Sequence, residues 1–258
     1  MGSRLGKTFE PMASRSEHST DSIVGKLLEK SQVFSRQTND SKLGATFMTG
    51  TSAASLAIAT LSKVEINHGA DLMARAFATD PLGCYLMPDA QSCQNIMHWY
   101  WCEALRHSVP HGHTYTTTPE ILGIASWLPP GVQRENFWSQ MLLLLQAILR
   151  FGWQNTHRMV PLSEFTEKLR VRHCPSPHWY LDGLAVAPES QGRGVGKLLL
   201  EPVLNLADHE GKPCCLYTST EGAVRFYQRQ GFTVCEEAHF QTAAPPLWFM
   251  VRSPKDFQ

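Results

Sequence analysis

From His178 to Lys197 the chain reads H-W-Y-L-D-G-L-A-V-A-P-E-S-Q-G-R-G-V-G-K. Three glycines at alternate positions, Gly192, Gly194 and Gly196, enclose Arg193 and Val195, with Gln191 before them and Lys197 after. Glycine lets backbone N–H groups approach one point, and a helix start leaves its first N–H groups unused. A strand that passes through such a turn into a helix is therefore an anion site suited to phosphate. Spacing narrows the choice of site. The pattern G-x-x-x-x-G-K-[ST] fails at Gln191 and Leu198, and G-x-G-x-x-G fails because Lys197 stands where the third glycine belongs. A glycine-rich turn without a ligand is the rival reading.

The element that must lead into this loop is a strand ended by Pro188. The two-residue period puts His178, Tyr180, Asp182, Leu184 and Val186 on one face and Trp179, Leu181, Gly183 and Ala185 on the other. Gly183 inside a strand signals a bulge or a close backbone approach. After the loop an apolar helix is expected over Leu198 to Ala207, bent at Pro202.

A second motif, A-V-R-F-Y-Q-R-Q-G-F, spans Ala223 to Phe232, on a helix that Thr220 caps and Gly231 closes. Together the two motifs resemble the GNAT superfamily of acyl-CoA N-acyltransferases. Gln191, Gly194 and Gly196 match its loop Q/R-x-x-G-x-G/A; Ala223, Phe226, Tyr227, Gly231 and Phe232 match N-x-x-A-x-x-F-Y-x-x-x-G-F, with Thr220 in the Asn position. A-S-W-L-P-P-G, Ala125 to Gly131, resembles the branch that contains puromycin-type N-acetyltransferases.

The resemblance implies an α/β fold: a mixed, mostly antiparallel central sheet with a V-shaped split at the cofactor cleft, flanked by helices. It implies acetyl-CoA as co-substrate, without a metal. The pantetheine arm would pair with backbone groups of Leu184, Ala185 and Val186. Gln191, Gly192, Arg193, Gly194, Val195, Gly196 and Lys197 would hold the diphosphate, and Tyr227 would act as general acid. Transfer of acetyl to an amine also needs a base; Asp182 is the candidate, with His178, Tyr180 or a water relay as rivals. The expected acceptor is a primary amine on a small, hydrophobic molecule. Transfer to a hydroxyl or a protein N-terminus, and a CoA-binding sensor without transfer, stay open.

Composition agrees with such an enzyme. The chain has 258 residues, 43% of them hydrophobic, enough for one sizeable core. Its formal net charge of +0, with basic residues scattered, argues against a nucleic-acid partner. No apolar run is long enough to span a bilayer. Seven cysteines without a C-x-x-C pair read as free thiols in a reducing, cytoplasmic compartment, with a mitochondrial presequence as the alternative that Glu10, Glu17 and Asp21 disfavour. His107 to His113 holds three histidines around Pro110 and Gly112 and reads as a loop. Oligomeric state is not legible.

Residues 1–55 read as a weakly ordered tail, with a short amphipathic helix over Ser22 to Phe34. The catalytic domain is expected over 56–258. Strands are expected at Leu56 to Leu61, Thr114 to Thr117, Ile121 to Trp127, Pro213 to Thr218, Phe232 to Val234 and Leu247 to Val251. Helices are expected at Asn67 to Thr79 and Cys93 to His107, the latter apolar on most sides and so buried or lining a pocket. Residues 131–177 form an insert with helices at Phe137 to Phe151 and Ser163 to Val171, read as a binding wall or a layer over the sheet.

Overall fold

The structure is a computed structural model and describes residues 56–87, 90–132, 137–175 and 177–255. The expected tail and its short helix lie outside the described residues. Seven strands form one sheet: β1 (Ala57–Thr60), β2 (Thr114–Thr118), β3 (Gly123–Leu128), β4 (Trp179–Val186), β5 (Cys214–Thr218), β6 (Thr233–Ala238) and β7 (Leu247–Arg252). Their order across the sheet is β1-β2-β3-β4-β5-β7-β6. Every neighbouring pair is antiparallel except β4 and β5. The mixed, mostly antiparallel sheet expected from the sequence is thus the one observed.

The helices are α1 (Ile66–Ala76), α2 (Pro81–Leu86), α3 (Ala90–Ser108), α4 (Phe137–Phe151), α5 (Trp153–Thr156), α6 (Met159–His173), α7 (Val195–His209) and α8 (Glu221–Arg229). α7 turns Val195, Leu199, Val203 and Ala207 to the sheet at helical spacing, where they pack with Trp127, Leu181 and Leu216. On the opposite face Ile66, Ala70 and Met73 of α1 and Trp101 and Leu105 of α3 meet Ile124 and Ala185. Each such large apolar side chain contributes about 1.5–3 kcal/mol on burial. The core is therefore two apolar layers, one on each side of the sheet.

Several boundaries differ from the sequence reading for local reasons. α1 ends at Ala76, and Asp80 starts a new helix by accepting the N–H groups of Leu82 (2.9 Å) and Gly83 (3.2 Å). α6 begins four positions before Ser163, because Pro161 sits in its first turn, where proline is tolerated. Ser163 lies inside the helix, where its hydroxyl donates to the Val160 carbonyl at 2.8 Å. α7 begins at Val195 rather than Leu198 and runs through Pro202 to His209 as one helix. β6 extends to Ala238, well past Val234. Thr220 caps α8 as expected, accepting the Ala223 N–H at 3.3 Å.

The far end of α7 is fixed to the sheet by a buried ion pair. Arg252 of β7 donates two hydrogen bonds to Asp208, at 2.7 and 2.6 Å, and the Lys255 N–H adds a third at 2.9 Å. The guanidinium holds the Asp208 carboxyl below its ordinary range.

Candidate active site

β4 carries the site and departs from the expected alternation at Asp182. The ladder to β3 pairs Ser126 with Gly183 and then Trp127 with Leu181, so it skips Asp182. One extra residue reverses face parity beyond it. Trp179, Leu181, Leu184 and Val186 therefore pack together on the α7 face, while Ala185 meets Trp101 on the other. The expected grouping of Tyr180 with Leu184 and Val186 is corrected accordingly. Gly183 serves both meanings the sequence allowed. It adjoins the bulge, and a Cβ there would lie 2.6 Å from a Trp101 ring carbon and 2.7 Å from the Met73 methyl.

β4 and β5 share two rungs, Trp179 with Cys214 and Tyr180 with Cys215, and then part. β5 pairs with β7 along its whole length, Cys214 to Thr218, on its other edge, so Leu216 to Thr218 have a partner strand on one edge only. The sheet is thus split in a V whose apex is at Tyr180 and Cys215. Ala187 donates to the Leu122 carbonyl (2.8 Å), which sets the alternation along β4. Ala185 then pairs with β3, and the backbone groups of Leu184 and Val186 face the split. The Val186 carbonyl accepts the Gln191 side-chain amide at 3.2 Å, tying the glycine loop to the strand.

The loop delivers unused donors to the open end of the split. Pro188–Ser190 makes one 3-10 turn, and Gly192 (φ 75°) and Gly194 (φ 83°) take left-handed backbone that other residues rarely adopt. Gly194 caps α7, whose first bond runs from the Leu198 N–H to the Gly194 carbonyl at 3.1 Å. The N–H groups of Val195, Gly196 and Lys197 precede that bond, and the positive end of the helix dipole lies with them.

Around this loop and the split lies an open cleft of about 1650 Å³. It brings together Asp182, Leu184, Val186, Gln191, Gly192, Gly194, Val195, Gly196, Lys197 and Tyr227. It does not bring in Ala185, whose backbone pairs with β3, or Arg193, which is exposed. Lys197 reaches Glu201 at 4.0 Å on the helix surface. Tyr227 is 8% exposed, its ring edge-on to Phe226 (5.2 Å) and Phe232 (5.7 Å). Burial pushes its phenol well above the ordinary value, so it keeps its proton at neutral pH.

The other half of the cleft is aromatic and apolar. Phe77, just after α1, and Trp99, Tyr100 and Trp101 of α3 line it, with Leu144 and Leu162 from α4 and α6. The expectation that the Cys93 to His107 segment lines a pocket holds. The insert supplies a wall of the cleft and also a layer on the fold, while α4 leaves Leu142 and Leu149 exposed on its outer side. Sequence reasoning missed Arg170 and Glu167, which α6 adds to that wall. It also missed that Cys174, His178 and Cys215 converge, buried, with their ligand atoms within 4.8 Å of one another. The spacing Cys174-x-x-x-His178 was visible, but its partner Cys215 becomes a neighbour only through the parallel rung of β4 and β5. His107 and His113 lie on either side of a 3-10 turn that His111 ends, and among the described residues the three are not grouped within metal-ligand reach of one another. Among the described residues no helix is long and apolar enough to cross a membrane.

Comparison with known proteins follows the same lines. The model of the "Acetyltransferase (GNAT) family" matches residues 87–232. An uncharacterized N-acetyltransferase of Schizosaccharomyces pombe is 25% identical over 151 residues, covering 53% of this chain and 58% of its own length, so this chain spans little more than half of that relative. A 5-NmdU N-acetyltransferase of Pseudomonas phage PaMx11 is 27% identical over 139 residues, 52% of this chain and 89% of the phage protein. In fold the chain is similar to arylalkylamine N-acetyltransferase 2 of Aedes aegypti, with a TM-score of 0.55 and 14% identity over 78% of this chain and 99% of that one.

Proposed function

The chain belongs to the acetyltransferase (GNAT) family, and from that premise we propose that it transfers acetyl from acetyl-CoA directly to a primary amine on a small, hydrophobic acceptor. The observation that carries this reading is the split between β4 and β5, which opens beside the unused N–H groups at the start of α7. The residues fit the co-substrate. Gln191 orders the loop, and N–H groups from Gly192 to Lys197 hold the diphosphate. Leu184 and Val186 offer backbone groups to the pantetheine amides, in the manner of an added strand. An N–H on this strand polarises the thioester carbonyl.

The acceptor enters from the aromatic half, where Phe77, Trp99 and Tyr100 suit an apolar body. Asp182, set apart by the bulge, takes the amine proton. Tyr227, held protonated by burial, gives a proton to the departing thiolate. Amine acceptors among the similar proteins support this choice: the Aedes enzyme is named for arylalkylamines, and another neighbour of TM-score 0.53 and 15% identity for agmatine. The expectation of residues 56–258 as the catalytic domain belongs to the same proposal.

The test is acetyl-CoA consumption across a panel of aryl, alkyl and polycationic amines, with products identified by mass. Apolar amines should be acetylated fastest. Tyr227→Phe should lower kcat about ten-fold or more while the Kd for acetyl-CoA stays within about two-fold. No acetylated product with any amine, despite normal CoA binding, sinks the transfer reading in favour of a sensor.

A further inference from the structure

Cys174, Cys215, His178 and Arg170 form a chemical unit that the transfer reaction leaves unused. Cys174 is the C-cap residue just after α6 (φ −139°, ψ 60°), directly before Pro175. Cys215 lies on β5 at the apex of the split, paired with Tyr180. The two sulfurs and a His178 ring nitrogen lie within 4.8 Å of one another, and the cysteines are 4% and 0% exposed. Arg170 meets His178 Nε2 at 3.2 Å and is itself anchored by Glu167.

Proton placement follows from these partners. Arg170 only donates, so His178 Nε2 accepts and the ring proton sits on Nδ1. Cys215 donates its proton toward Cys174, His178 adds a hydrogen bond, and the Arg170 guanidinium adds positive charge, which together hold the Cys174 thiol well below its ordinary value. Burial and the neighbouring thiolate push Cys215 up. Cys174 is thus the sulfur that gives up its proton more readily, and Cys215 the one that keeps it. The same geometry disfavours a divalent metal. A metal would have to take a ring nitrogen from Arg170 or from the ring proton, beside a fixed guanidinium.

We propose that Cys174 and Cys215 are a modification site: hydrogen peroxide converts them to a disulfide that staples the end of α6 to the apex of the sheet split. The Cys174 thiolate attacks one peroxide oxygen, the O–O bond breaks, and the leaving hydroxide takes up a proton as water. Cys215 then attacks the resulting sulfenic sulfur, an S–S bond forms, and the second hydroxide leaves with the Cys215 proton, also as water. Two thiols are oxidised and one peroxide is reduced to two waters. The sulfurs must close to about 2.05 Å. Cys215 is held in the sheet by rungs to β4 and β7, so the closing movement falls on Cys174 and the end of α6. α6 carries Arg170, Glu167 and Leu162 on the cleft wall. Oxidation therefore acts on the acceptor half of the site and leaves the diphosphate loop alone.

This regulatory consequence rests on the acetyl-transfer reading; the disulfide itself does not. The full chain, freed of reductant, is treated with hydrogen peroxide and mapped by mass spectrometry without reduction. A Cys174–Cys215 linked peptide, reversed by dithiothreitol and absent in Cys174→Ser and Cys215→Ser, is expected, while Cys214→Ser still forms it. The oxidised enzyme should show an acceptor KM raised about five-fold with the acetyl-CoA KM within about two-fold. Linkage through Cys214, no linkage in wild type, or one equivalent of zinc co-purifying and shielding both thiols overturns the site. A linked peptide in a chain that acetylates nothing leaves the site standing and removes the transfer reading, so the two failures are distinguishable.

Discussion

Gly194 shows how one residue can matter for a reason that contacts do not reveal. Nothing lies within 4 Å of where its Cβ would be, so the position is open. The constraint is its φ of 83°, together with the need for a ligand phosphate to come close to bare backbone. Gly194→Val should cost the fold little beyond local strain yet weaken CoA binding about ten-fold or more. Calorimetry returning near-normal affinity would remove the loop from the diphosphate site. Gly183 is the contrasting case, since there the space is already filled by Trp101 and Met73. Both glycines were legible in the sequence as special positions. The role of Ala185 was not, because a single bulged residue decides which backbone groups face the split.

At the scale of elements, α7 has a functional end and a structural end. Its first turn offers N–H groups to the cleft, and its last turn is held by the Asp208–Arg252 pair, whose side chains are 9% and 3% exposed. Breaking such a pair from one side leaves a buried charge without its counter-ion. Asp208→Asn should therefore cost about 3–5 kcal/mol in a denaturant titration, whereas replacing both partners by apolar residues should restore most of it. The sign of the pH dependence follows from the depressed carboxyl. Its contribution is complete above the ordinary value of 3.8 and is lost as pH falls through the folded value. Wild type should lose stability over that acid range by more than Asp208→Asn does. Equal acid slopes in the two proteins would mean that the pair does not set Asp208. Sequence periodicity found most of the elements, because apolar spacing decides them. It misplaced the starts of α6 and α7, where Pro161 fits the first turn of a helix and the glycine turn runs directly into one.

Among the described residues the sheet is held closed at one end of the β4–β5 pair and open at the other, and the glycine loop, the start of α7 and the insert all line the opening. The split was foreseen only through the family resemblance, since no local pattern in β4 or β5 says where two strands will part; the register does. A ligand lying in the split would bridge parts of the chain that the open sheet leaves apart, so its binding should register as global stability. A ligand at one hundred times its Kd adds about 2.7 kcal/mol to a protein that binds it only when folded. For a domain of this size that is a rise in Tm of about 5–10 °C. Acetyl-CoA should produce that rise, and acetyl-pantetheine at equal concentration, which lacks the diphosphate, should produce much less. Gly194→Val should shrink the acetyl-CoA shift toward the pantetheine value while leaving the pantetheine shift in place. Equal shifts with the two ligands in wild type would mean that the strand groups alone do the holding and that the N–H groups at the start of α7 have no part in it.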